Sequence, residues 1–146
     1  MKFSSLAEYF EKLEATPSRL KMTEILAGLF REAGAEEIDK ICYLALGRLV
    51  PLYESLEFQL AEKMVMRAIA EAEKTELSKV QTEYKNLGDL GKVVEQLEVK
   101  SEKRKTSQVT VLNVYEKLHR IAEDVGTGSQ DRKIKALAEL LQTLDG

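Results

Sequence analysis

Apolar residues recur along this chain at the three- and four-residue spacing of an amphipathic helix, and nowhere alternate with the period of a half-buried strand. Leu6, Tyr9, Phe10 and Leu13 set the first face, with Ser4 or Ser5 as its cap. Thr16-Pro17 restarts a helix with proline at the tolerated first position, and Leu20, Ile25, Leu26, Leu29 and Phe30 line its buried side up to a stop at Gly34. A third helix is expected from Glu36 to Leu46, ending near Gly47. A fourth opens near Glu57 and carries Leu60, Met64, Val65, Ala68 and Ile69. A fifth runs from Glu76 to Leu87 and stops at Gly88; a short sixth from Asp89 holds Leu90, Val93, Val94 and Leu97. The seventh, capped by Thr110, presents Val111, Val114, Tyr115, Leu118, Ile121 and Ala122. The eighth follows Ser129 with Ile134, Leu137, Leu140 and Leu141. The expected class is all-α, a multi-helix bundle.

Between the sixth and seventh helices, Lys100-Ser101-Glu102-Lys103-Arg104-Lys105-Thr106-Ser107 carries no periodicity and reads as a basic linker. It divides one domain into a first helical group at residues 1–98, the linker loop at 99–108 and a second group at 109–146. Composition agrees with a globular reading: 146 residues, 44% hydrophobic and 32% charged, with two prolines and no tryptophan. A single cysteine, Cys42, excludes a disulfide framework and a cysteine-based zinc site, and its apolar neighbours mark it as a buried small hydrophobe. No signal peptide and no membrane-length apolar run is present, so a soluble protein inside the cell, most simply a prokaryotic cytoplasm or nucleoid, is expected.

The segment Gly126-Thr127-Gly128-Ser129-Gln130-Asp131-Arg132-Lys133 carries the clearest chemistry. Its glycines let the backbone turn tightly and approach a ligand closely. Ser129 reads as an N-cap, with Arg132 and Lys133 in the first turn behind it. A helix start is already positive, so cations placed there are unfavourable unless an anion joins them, and a phosphate satisfies amides, dipole and side chains together. A plain loop-to-helix junction with solvated cations is the alternative. The formal net charge of −3 weighs against a self-sufficient DNA-binding module, so any attraction to nucleic acid must come from local clusters.

No catalytic or metal constellation is present. His119 is the only histidine and reads as structural or solvated; Glu36-Glu37, and Glu71 with Glu73, read as solvated helix faces. No phosphate-binding loop of the Gly-x-x-x-x-Gly-Lys kind occurs. Leu144-Asp145-Gly146 shares its end with the Lys-x-Asp-Gly of nucleotidyl transferases, but Thr143 stands where the amine is required.

Four punctuation motifs occur in order: Thr16-Pro17-Ser18-Arg19-Leu20-Lys21-Met22, Gly47-Arg48-Leu49-Val50-Pro51-Leu52-Tyr53-Glu54, Gly88-Asp89-Leu90-Gly91 with Val93-Val94-Glu95, and Gly126 to Gln130 with Arg132-Lys133. Together, from about Phe3 to Leu141, the series resembles the N-terminal DNA-binding domain of archaeal- and eukaryotic-type ATP-dependent DNA ligases. The resemblance implies a helical bundle that holds duplex DNA on both sides of a nick, mainly through backbone phosphates. Ser18, Arg19 and Lys21 fall in a segment that meets phosphate in that family; Gly128, Ser129, Arg132 and Lys133 would form a second contact. Arg48 is expected to brace a helix or pair with an acid, and Gly88 and Gly91 to be structural.

The family's second symmetric half has no counterpart here, so the chain reads as the first part of that domain. It would be inactive alone and need no cofactor, with the parent enzyme using ATP and Mg2+. Some archaeal relatives carry a sliding-clamp peptide with paired phenylalanines before the seventh helix; here Lys100 to Gln108 has no aromatic residue, which argues against clamp binding. Leu137, Leu140 and Leu141 lie where the missing half would pack, so self-association through an exposed apolar face is expected. The rival function is a helical-repeat protein-interaction module without nucleic-acid binding.

Overall fold

A computed structural model describes residues 1–98 and 108–144. Eight helices span the described residues: α1 (Phe3–Glu14), α2 (Arg19–Glu32), α3 (Ile38–Ala45), α4 (Glu62–Ala72), α5 (Leu77–Leu87), α6 (Leu90–Glu98), α7 (Val111–Glu123) and α8 (Ser129–Leu141). The only β pairing among them is an isolated bridge between Lys2 and Thr110, so the all-α expectation holds. The basic linker expected at 99–108 lies outside the described residues except for Gln108. Two compact units emerge, each built from two separate stretches of the chain: Met1–Glu57 with Gln108–His119, and residues 58–98 with 120–144.

The first unit is built on Leu6, Leu29, Ile41 and Val111, with Phe3, Tyr9, Phe10, Leu26 and Leu44 packed around them. Phe3 donates its amide to the Val109 carbonyl at 2.9 Å, and Val111 returns one to Met1 at 3.1 Å. This pairing holds the chain extended through Lys2, so α1 starts there and Ser4 and Ser5 lie within the helix rather than capping it. α2 also starts later than expected. Ser18 takes the cap position, its hydroxyl accepting the Lys21 amide at 3.4 Å, and Pro17 stays outside the helix. A serine can satisfy a free amide where proline cannot, and the residue before proline is pushed out of the helical region.

Leu20 is not on the buried face; it is 73% exposed. Leu29 lies nine positions further on, two and a half turns at about 3.6 residues per turn, so the two point to opposite sides of α2. Glu37, expected on a solvated face, is buried. Its carboxylate accepts the Gly34 amide at 3.0 Å and the Met1 α-ammonium. Burial alone would raise its pKa; the bonds from Met1 and Gly34 outweigh that and hold it below the ordinary carboxylate range. Beyond α3 the chain is pinned by Leu49 and Val50, both buried, and by the Tyr115 hydroxyl, which donates to the Leu49 carbonyl. Arg48 braces this stretch by donating to the Val50 carbonyl at 3.4 Å. Cys42 is half-buried and free.

In the second unit α4 is the central helix, buried on two sides. Met64, Ala68 and Ala72 meet Ile134 and Ala138 of α8, while Met66, Ile69 and Ala70 meet Val80 of α5 and Val93 and Leu97 of α6. Small residues on the α4–α8 seam let the two backbones approach closely. Replacing Ala68, which is 0% exposed, by leucine is expected to cost about 1–3 kcal/mol through overpacking. A denaturant midpoint unchanged in Ala68→Leu would show the seam to be loose.

α4 begins five residues after its expected start at Glu57, because Gln59 adopts a left-handed φ of 50° and Phe58 gives its carbonyl to a lysine. At its far end Lys74 takes the same conformation (φ 50°), with Thr75 donating back to Ala70 at 3.0 Å and Lys74 to Glu71 at 3.3 Å. That is a Schellman ending without the usual glycine. The expected apolar face on α7 and α8 is absent. Leu140 is 2% exposed, and Leu137 and Leu141 pack partly buried against the α4 clusters, so the second unit covers these leucines itself.

Candidate nucleic-acid interface

At the start of α2, in the first unit, Ser18, Arg19 and Lys21 are all exposed. No acidic residue occupies this first turn, and neither cation has an ion-pair partner among the described residues. The free amides of a helix start, the positive end of its dipole and two unpaired cations therefore share one solvent-facing turn. Thr16 accepts the Ser18 amide at 3.3 Å, and Thr23 donates to the Arg19 carbonyl at 2.9 Å, which holds the turn in shape. An anion with several oxygens is the ligand such a turn can satisfy.

The start of α8, in the second unit, differs from expectation. Gly128, not Ser129, is the N-cap; it sits at φ 76°, and Ser129 is the first helical residue. A left-handed cap suits glycine, and an added Cβ would lie 3.2 Å from Arg132 Nη1. The Ser129 amide is already used, donating to the Gly126 carbonyl at 3.1 Å. Arg132 forks onto Asp124, with Nε 2.9 Å from Oδ2 and Nη2 2.6 Å from Oδ1, and its Nη1 donates to the Thr127 carbonyl at 2.9 Å. The guanidinium thus clamps the Gly126–Gly128 turn while remaining 52% exposed. Asp131 supplies the acid that usually complements a helix start, 3.6 Å from Arg67 of α4.

Lys133 overturns its expected surface position. It is 2% exposed, and its ammonium donates to the Phe58 carbonyl at 2.8 Å, across the seam between α8 and the segment before α4. Lys133 stands four residues before Leu137 and seven before Leu140, so helical spacing itself places it on the apolar face of α8, where its stem packs as an apolar chain and only its tip needs a partner.

Arg132, through its hydrogen bonds first and its charge second, holds the Asp124 carboxyl below its ordinary range. A depressed folded-state pKa means the pair's stabilisation is present above the unfolded value and fades as pH falls through the folded one. In an NMR titration, Arg132→Ala should move the Asp124 midpoint upward; an unmoved midpoint would show that the fork does not form in solution. His119 lies half-buried beside Tyr115, ring centroids 6.0 Å apart. Among the described residues no group of three His, Cys, Asp or Glu side chains could hold a metal ion, and no helix is long and apolar enough to cross a membrane.

The class the structure defines is an all-α protein with one exposed helix start, that of α2, whose two cations have no ion-pair partner among the described residues; at the start of α8 Arg132 is held by Asp124 and Lys133 is buried. The comparison with known proteins narrows this class. Residues 2–146 match the family described as DNA ligase N terminus, and the chain belongs to that family. It is 45% identical over 144 residues to a protein named probable DNA ligase from Dictyoglomus thermophilum, covering 99% of this chain and 24% of that protein. A DNA ligase of Staphylothermus marinus is 43% identical over 97% of this chain and 26% of its own length, and one of Sulfolobus acidocaldarius is 34% identical over 99% and 26%. The chain therefore spans about a quarter of the length of these relatives.

Proposed function

We propose that this chain is the non-catalytic, DNA-holding part of an ATP-dependent DNA ligase, gripping duplex phosphates around a nick without reading sequence. The α2 start carries the proposal: Ser18, Arg19 and Lys21 are exposed, neither cation has an ion-pair partner among the described residues, and no acid occupies their turn. Gly128, Ser129 and Arg132 form the second contact, in which Arg132 both shapes the turn and offers its exposed edge to a phosphate oxygen. Lys133 is a support for that helix rather than a contact. The activation of a lysine by ATP, the Mg2+ it requires and the sealing step belong to the parent enzyme. Membership of a ligase family favours this reading over a protein-interaction repeat. The absence of aromatic residues in Lys100–Gln108 remains the argument against a sliding-clamp contact there.

Phosphate contacts position a protein on DNA but carry no sequence information. The chain should therefore bind nicked duplexes of unrelated sequence with affinities within about threefold of one another, as read by fluorescence anisotropy at low salt. A preference beyond about a hundredfold for one sequence would require base contacts and would contradict the proposal.

A further inference from the structure

The guanidinium of Arg132 already holds an anion, and that anion belongs to the chain itself. Nε lies 2.9 Å from Asp124 Oδ2 and Nη2 lies 2.6 Å from Oδ1, the side-by-side fork that a phosphate takes on an arginine. Nη1 donates to the Thr127 carbonyl at 2.9 Å. Three of the five guanidinium N–H bonds are thus engaged, which leaves one on each Nη. The carboxylate is held in place from its own backbone, since the Asp124 amide donates to the Arg120 carbonyl at 3.2 Å. The Arg132 side chain is 52% exposed and that of Asp124 27%, so an incoming oxyanion can reach the pair.

We propose that Asp124 is an affinity-setting residue for the second DNA contact: it competes with phosphate for the Arg132 fork and keeps that grip weak. The inference rests on the DNA-holding reading of this chain and adds a regulating group to it. A phosphate reaching Nε and Nη2 must displace the carboxylate, which leaves Asp124 as an unpaired negative charge beside the incoming one. A phosphate that leaves the pair intact meets only the remaining N–H on each Nη, next to a carboxylate that cancels most of the guanidinium charge. By either route the contact is weaker than a free arginine would give, and a weaker contact releases the duplex sooner. Asparagine at this position keeps one oxygen for Nε and nearly the same shape without the charge. The turn then stays clamped through Thr127 while the fork opens to DNA.

Anisotropy titrations of a nicked duplex at low salt compare Asp124→Asn in two backgrounds, the wild type and Arg132→Gln. In the wild-type background affinity should rise by about fivefold, the size of a surface ion pair. In Arg132→Gln no guanidinium remains to be released, so the same change should give less than about twofold, from the general loss of one negative charge. An equal gain in both backgrounds, or no gain in the wild type, would overturn the inference. Arg19→Ala/Lys21→Ala separates that result from failure of the DNA-holding reading. If this variant binds more weakly while Asp124→Asn gains nothing, the chain holds DNA and Asp124 does not set its strength. A chain that binds no duplex at all overturns both. Should Asp124→Asn fail to fold, Asp124→Ser removes the same charge and is judged by the same two comparisons.

Discussion

Lys133→Ala is expected to destabilise the second unit by about 3 kcal/mol or more while leaving the salt dependence of DNA binding unchanged. The substitution removes a packed four-carbon stem from a site that is 2% exposed and leaves the Phe58 carbonyl without its donor. Lys133→Met separates the two effects. It keeps most of the volume and loses only the hydrogen bond, so about 1–2 kcal/mol is expected. Urea unfolding of both variants measures the losses. A Lys133→Ala chain with unaltered stability and a reduced salt slope would place the ammonium on DNA and remove the support role assigned to it.

Arg19→Glu should have the largest effect on binding, lowering affinity for nicked duplex by at least about tenfold at low salt with no loss of stability. Arg19 is exposed and bonded to no acid, so the fold loses nothing when it changes. Reversing its sign next to the helix start both removes a charge-assisted contact and repels the phosphate. An anisotropy titration with a thermal melt as control reads both quantities. Full affinity in Arg19→Glu would exclude the α2 start from the interface.

Helix number and class were legible because long periodic segments are a strong local signal, and Gly47, Gly88 and Thr110 mark ends that side-chain and backbone preferences set on their own. The errors fall where distant partners decide. α1 starts at Phe3 because Lys2 pairs with Thr110, more than a hundred residues away. α4 starts late because Lys133 captures Phe58, and nothing near Glu57 announces that contact. Glu37 looked like half of a solvated acidic pair until the α-ammonium of Met1 was found against it.

The candidate site was half legible in the same sense. Ser18, Arg19 and Lys21 keep the surface positions their local pattern implies. At α8 the two glycines and the basic pair were visible, but Asp124, eight residues before Arg132, only becomes its partner once the turn folds back. A cation run at a helix start thus separates into one clamp, one buried support and one acid that the run itself contains.

The salt dependence of nicked-duplex binding by the wild type, set beside Arg19→Ala/Lys21→Ala, tests the central claim most directly. Each phosphate neutralised contributes a slope of about 0.9 in a plot of log K against log salt, so the double variant should lose roughly two units of slope while its melting curve stays in place. A slope equal to that of the wild type would mean that the α2 start touches no phosphate, and the DNA-holding role assigned to this helix would be wrong.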